Sequence, residues 1–179
     1  ISSHYEHRIG RKDLKNFEVL DWGSEESQQA RFQILASKVS LENRSLLDVG
    51  CGLGDLWEYL KKHRITVNYT GVDLLPKMVQ AAQKLHPDVR FVCGNLFDPS
   101  EELLQGERFD IVFCSGVFNL NLGNNLEFLA AAVSGLLQRT KEHLVVNLLH
   151  HRTPVQPPRY YYYDPEILSE KLLLPGWDI

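Results

Sequence analysis

The sequence predicts an α/β domain: a doubly wound, mostly parallel sheet flanked by helices. Three observations predict it. Short apolar runs alternate with stretches of helical periodicity along most of the 179 residues. The first clear strand, Leu46, Leu47 and Val49, is a short continuous apolar run, as expected of a strand covered on both faces. That strand passes through a triple-glycine turn into a helix within SLLDVGCGLGDL, Ser45 to Leu56. Strand, glycine turn and helix in that order build a ligand pocket at a helix N-terminus.

The elements follow in order. The first 23 residues are polar, mixed in charge and broken by Gly10 and Gly23, which suggests an arm with one short helix. Ser24 can cap the next helix, with Glu25 and Glu26 in its first turn. Ala30, Ile34, Leu35 and Val39 are expected on its buried face. After the glycine turn, Leu53 to His63 predicts a helix with Leu56, Trp57 and Leu60 inward. Its terminal Lys61, Lys62 and Arg64 suit a helix C-terminus.

Val67 to Asp73 is the second strand. Pro76 opens the following helix, whose Met78, Ala81, Ala82 and Leu85 recur at i, i+3, i+4 and i+7 until Pro87 ends it. Val89 to Cys93 is the third strand, and residues 98–107 form a loop of weak helical content before the fourth, Phe109 to Cys114. A long helix spans about Asn125 to Arg139, with Leu126, Leu129, Ala130, Val133 and Leu137 buried. His143 to Leu149 is the fifth strand. The proline- and tyrosine-rich HHRTPVQPPRYYYY cannot be regular, and Asp164-Pro165 then opens a helix. Trp177 to Ile179 looks like a strand just beginning.

Composition narrows the class. A chain with 44 % apolar and 23 % charged residues is an ordinary globular domain. It fits a single unit over 1–179, with an arm and cap helix to about 40 and a core from about 44. A net charge of −4 gives no electrostatic reason for nucleic-acid binding. No apolar run approaches the ~20 residues a membrane span needs. Cys51, Cys93 and Cys114 are odd in number and scattered, so they suggest a reducing, cytoplasmic setting. They lack the paired spacing of zinc ligands, and no metal is expected. The chain begins at Ile1 rather than a methionine, which leaves a removed signal open.

The residues with chemistry cluster at strand ends. Gly50, Gly52 and Gly54 let a backbone approach a ligand closely, and the amides and helix dipole there attract an anionic group. Asp73, at the end of the second strand, is placed to accept both hydroxyls of a ribose.

LLDVGCGLGDL, GVDLLPKM, FVCGNLFD and FDIVFCSGVFNL, in that order and each at a predicted strand end, resemble the successive motifs of class I S-adenosylmethionine-dependent methyltransferases. The resemblance covers about residues 22 to 150. It implies that Asp48 braces the glycine turn and reaches the methionyl amino group directly or through water. Gly50, Cys51, Gly52 and Gly54 would line the methionyl and ribose part, with Leu56 at the start of the following helix. Asp73 would take the ribose, and Leu74 and Met78 would cover the adenine. Asn95, after Gly94, would replace the commoner aspartate at the adenine amino group, and Leu96 would offer a backbone amide. Ser115 and Gly116 would face the methionyl ammonium, and Phe118 would wall the pocket. Asp55 and Trp22 are further candidates, since DWGSEESQ precedes the helix that caps the cofactor in such enzymes.

The family's sheet has seven strands, so this chain is expected to lack C-terminal sequence. The expected reaction is methyl transfer from S-adenosylmethionine to a small-molecule acceptor, with a protein acceptor kept open and neither membrane nor nucleic acid as partner. No catalytic base is assigned. His150, His151 and Tyr162 are the substrate-side candidates beyond the fifth strand, and His4, Tyr5 and His7 lie in the arm. Two alternatives stand beside this reading. One is a non-catalytic partner subunit with the same fold. The other is a nicotinamide-dependent oxidoreductase, against which the glycine spacing counts, because that fingerprint is G-x-G-x-x-G and residue 53 is leucine.

Overall fold

The computed structural model describes residues 2–11, 13–98 and 100–172. Two one-turn helices, α1 (Ser2–Tyr5) and α2 (Asn16–Val19), lie in the arm, where one was expected. Then follow α3 (Glu25–Lys38), β1 (Arg44–Val49), α4 (Asp55–Lys62), β2 (Val67–Asp73), α5 (Pro76–Leu85) and β3 (Arg90–Cys93). The remainder is β4 (Phe109–Ser115), α6 (Asn125–Gln138), β5 (Thr140–Asn147) and α7 (Pro165–Lys171). The fifth strand therefore starts and stops earlier than His143 to Leu149. The strand expected at Trp177 to Ile179 lies outside the described residues.

The five strands run parallel in the order β3-β2-β1-β4-β5. Strand order reverses at β1, which pairs with β2 on one side and β4 on the other. Val49 stands level with Val72 and Cys114, so the three central strands finish together. A ligand crevice opens outside the carboxyl ends of strands at such a switch point.

Helices cover both faces because neighbouring strand residues point to opposite sides. Leu46 packs with Phe32 and Leu35 of α3, Leu56 and Leu60 of α4, and Val79 and Ala82 of α5. Leu47 and Val49 pack instead with Leu129, Val133 and Leu136 of α6. Leu46 and Leu47 are both 0 % exposed, and burying such a side chain contributes roughly 1.5–3 kcal/mol. Caps set the helix starts: Ser24 Oγ accepts from Ser27 N–H at 3.1 Å, and Asp164 from Glu166 N–H at 2.9 Å.

Three helix faces differ from expectation. Ala30 and Ile34 of α3 are exposed, Ile34 to 56 %, and the inward side is Gln28, Phe32 and Leu35. The helix is turned so that Gln28 can donate to Asp55 at 2.8 Å, a polar anchor that apolar periodicity does not register. In α5 the face centres on Met78, Val79 and Ala82, which leaves Leu85 at the last position 54 % exposed. In α6, Ala132 and Leu136 are buried where Ala130 and Leu137 were expected. Residues 150–163 hold only the isolated bridges Leu120–Tyr160 and His150–Tyr163. Among the described residues no helix is long and apolar enough to cross a membrane.

Candidate functional site

The glycine turn is shaped by its neighbours. Gly50 and Gly52 have φ of +74° and +57°, a left-handed backbone suited to glycine. A Cβ on Gly50 would lie 2.3 Å from Val117 Cγ2, and one on Gly52 would lie 2.7 Å from Leu20 Cδ2. The amides of Gly50 and Cys51 both donate to the Val72 carbonyl, at 2.8 and 3.0 Å. Asp73 completes the hold: Oδ2 accepts from Gly52 N–H at 3.0 Å and Oδ1 from Leu75 N–H at 2.9 Å. Burial pushes the Asp73 pKa up, and these two amides pull it back. Each of its oxygens has a further lone pair for a ligand hydroxyl.

Above the turn lies a cleft of about 630 Å³, a size suited to a small ligand. Gly50, Gly52, Asp73, Leu74 and Met78 line it beside β1 and β2. Gly94, Asn95 and Leu96 line it after β3, and Ser115 and Gly116 after β4. Trp22 and Tyr162 reach it from either end of the chain. Asn95 Oδ1 already accepts from Phe97 N–H at 3.1 Å, which fixes its side chain. Ser115 Oγ and Asn119 Oδ1 are buried with no partner in the protein. Buried polar atoms are normally satisfied, so both suit a polar ligand.

Other expected residues lie elsewhere. Asp48 is 5 % exposed and accepts from the Tyr69 hydroxyl at 2.6 Å, away from the cleft lining. Burial pushes its pKa up to about 7 despite that bond, helped by the nearby Asp73 and Asp55. Cys51 and Leu56 belong to the core beneath the turn, and burial raises the Cys51 thiol well above its usual value. Gly54 starts α4 against His86 and Phe91. Asp55 is taken by Asn16 and Gln28, at 2.7 and 2.8 Å, which ties the arm and α3 to α4. Phe118 is 1 % exposed among Phe97 and Phe128, and its neighbours Val117 and Asn119 reach the cleft instead. His150 accepts from Arg152 N–H at 3.0 Å, and His151 stands 3.6 Å from Asp164; neither lines the cleft.

Arg31 and Asp21 line the cleft with no sequence signal, whereas Tyr5 was a candidate in the arm. Arg31 stacks its guanidinium on Trp22, 4.6 Å from the ring centre, and donates to Asn147 Oδ1 at 2.8 Å and to Ser27. Trp22 in turn lies 3.3 Å from where a Gly116 Cβ would stand. Asp21, with φ of +60°, accepts from His4 at 2.8 Å, pairs with Arg8 at 2.7 Å, and accepts from the Tyr160 hydroxyl. Its burial would raise the pKa, but the bonds from Tyr160, Arg8 and His4 win and hold it at about 2. Tyr5 also lines the cleft, and its pKa is raised to about 12, chiefly by burial and then by Asp21, Tyr160 and Asp73. Among the described residues no group of three or more histidines, cysteines and acids is arranged to hold a metal.

Comparison with known proteins bears on the same region. Residues 47–147 match a family model described as a methyltransferase domain. The ubiquinone biosynthesis O-methyltransferase of Coxiella burnetii is 31 % identical over 121 residues, 61 % of this chain and 50 % of that one. The phthiotriol/phenolphthiotriol dimycocerosates methyltransferase of Mycobacterium leprae is 35 % identical over 79 residues, 43 % of this chain and 28 % of that one. This chain thus spans half or less of the length of these curated relatives. Among solved structures, magnesium protoporphyrin IX methyltransferase from Synechocystis, with S-adenosylhomocysteine bound, aligns with a TM-score of 0.68 at 19 % identity. That alignment covers 95 % of this chain and 81 % of the other.

Proposed function

The chain belongs to the methyltransferase-domain family, and from that premise we propose that it transfers a methyl group from S-adenosylmethionine to a small-molecule acceptor. One observation carries the reading. Asp73, at the carboxyl end of β2 next to the switch strand β1, lines the cleft and ties down the glycine turn while both its oxygens keep a further lone pair. A nucleoside ribose is the ligand chemistry that arrangement fits.

The remaining lining residues suit the other parts of the cofactor. Leu74, Met78 and Leu96 offer apolar surface for the adenine, and Asn95 offers its amide. Ser115 Oγ, buried without a partner, accepts from the methionyl ammonium. Arg31, held by Trp22 and Asn147 at the Gly116 end, takes the methionyl carboxylate. When bound, the cofactor supplies an electrophilic methyl on a sulfonium, and the sulfur leaves neutral. The chain's own part is to hold the acceptor in line with that methyl and to exclude water, a positioning effect worth up to ~7–11 kcal/mol.

A small acceptor is supported by the cleft beyond the cofactor residues. Leu120, Phe128, Leu149 and Pro157 are apolar, while Tyr160, Tyr162 and Asn119 add polar edges. The names of the curated relatives also support acceptors that are small molecules, in one case methylated on oxygen. The cytoplasm is the compartment this reading favours, in keeping with three free cysteines.

Calorimetry with S-adenosylhomocysteine on the full-length protein tests the proposal. Micromolar binding that NADH does not displace is expected. Absence of binding, or displacement by NADH, sinks it. Tight binding with no methylation across broad metabolite pools would favour the non-catalytic subunit instead.

A further inference from the structure

We propose that Asp21 is a positioning residue: it fastens the N-terminal arm to the segment after β5 across the mouth of the cleft, and the cofactor enters and leaves only when that fastening opens. The proposal rests on the reading of the cleft as an S-adenosylmethionine site.

Two separately anchored walls meet at this residue. On one side, Tyr5 packs with Val19, Leu75 and Met78, so the arm is seated on α5 by apolar contact. On the other, Asn121 N–H donates to the Arg159 carbonyl at 2.9 Å and Tyr161 N–H to the Asn119 carbonyl at 2.8 Å. That seats residues 159–161 on the loop after β4. Between the walls stands the Asp21 carboxylate. It receives His4 at 2.8 Å and Arg8 at 2.7 Å from the arm, and the Tyr160 hydroxyl from the far wall, with Arg159 at 3.8 Å.

The fastening is placed to control passage. Tyr5, Asp21, Trp22 and Tyr160 all line the cleft, so the link bridges its two sides rather than lying behind one of them. It is also of a kind that can open. The bonds are polar, and the side chains of His4 and Arg159 are 22 and 55 % exposed, so water can reach these partners, while the Arg8 Nη1 beside the carboxylate is buried. Opening the link leaves both walls seated, the arm by its apolar contacts and the far wall by its backbone hydrogen bonds, a local event well short of unfolding. Moreover, the Asp21 backbone is left-handed, a conformation aspartate and asparagine tolerate better than most residues. Asp21→Asn therefore keeps shape and backbone preference while it removes the charge.

The test is stopped-flow binding of S-adenosylhomocysteine to the full chain, read by tryptophan fluorescence, since Trp22 lines the cleft. In Asp21→Asn the association and dissociation rate constants both rise, roughly tenfold, as expected from loss of charge-assisted bonds. Tyr160→Phe moves both in the same direction by less. The affinity changes little, because both rates pass through the same opening. A residue that merely supports the bound ligand would raise dissociation and leave association unchanged. That outcome, or unchanged rates in both variants, overturns the proposal. If the wild-type protein binds no S-adenosylhomocysteine, the cofactor reading has failed, and the fastening is then judged by trypsin. Faster cleavage at Arg8 and Arg11 in Asp21→Asn sustains it, and equal cleavage overturns it.

Discussion

The Tyr69 hydroxyl donates to Asp48 Oδ2 at 2.6 Å inside the core between β1, β2 and their covering helices. This contact keeps Asp48 out of the cleft and makes it a structural acid whose pKa is pushed to about 7. The sign follows from proton counting. Between about pH 4 and 7 the folded chain holds a proton on Asp48 that the unfolded chain has lost, so stability falls as pH rises through that window. The full effect is roughly 4 kcal/mol. Asp48→Asn removes this slope, and urea unfolding at pH 5 to 8 should show the variant gaining on the wild type up to about pH 7, then running parallel. A constant gap across the series would show that Asp48 does not titrate there.

Asp73 gives a different kind of prediction, because its two backbone bonds and its proposed ribose contact separate in two variants. Asp73→Ala strands the amides of Gly52 and Leu75, and should cost about 1–3 kcal/mol of stability along with cofactor affinity. Asp73→Asn keeps one good acceptor, so its stability loss should be smaller while S-adenosylhomocysteine binding still weakens by roughly 10- to 100-fold. Calorimetry beside thermal melts checks this. Affinity that tracks melting temperature in both variants would mean that Asp73 acts only through the turn.

Gly50 and Gly106 share a φ of +74° but differ in surroundings. A Cβ at Gly106 meets nothing within 4 Å, whereas at Gly50 it would meet Val117 Cγ2 at 2.3 Å. Gly106→Ala thus measures backbone strain alone, about 1–2 kcal/mol. Gly50→Ala should cost more, by the displacement of Val117, and adding Val117→Ala should recover part of the difference, with a coupling of about 0.5–3 kcal/mol. Equal losses for the two glycines would remove the close approach of the turn to the loop after β4 as the reason for glycine at 50.

What the sequence made legible were features with local signatures. The central strands announce themselves by short apolar stretches, Leu46-Leu47 in β1 and Ile111 to Cys114 in β4, and the turn at Gly50 and Gly52 needs backbone freedom that glycine advertises, so Asp73 could be placed by register alone. The errors share one cause, which is that orientation about an element's axis is settled by remote partners. Gln28 turned α3 toward Asp55 and left Ile34 in solvent. Phe118 went to Phe97 and Phe128 rather than to the cleft. Asp21 was invisible because its partners, His4, Arg8 and Tyr160, come from both ends of the chain.

Arg31 was likewise illegible, a cation on a helix with a weak apolar face, and it supports the sharpest test of how the cofactor lies. Its guanidinium is confined by the Trp22 ring at 4.6 Å and by Asn147 at 2.8 Å, and burial lowers its pKa. A confined, partly desolvated cation discriminates strongly for a carboxylate, because the planar fork is already oriented. Arg31→Ala should therefore weaken S-adenosylhomocysteine binding by about 1.5–3 kcal/mol, or roughly 10- to 150-fold. Methylthioadenosine has the same nucleoside and sulfur but no amino-acid carboxylate, so its affinity should change by less than about threefold. Arg31→Lys should fall between, since an ammonium keeps the charge but loses the stack on Trp22 and the fork. Parallel calorimetry with both ligands checks it. Equal losses for the two would assign Arg31 to supporting Trp22, and the carboxylate would have to be held elsewhere.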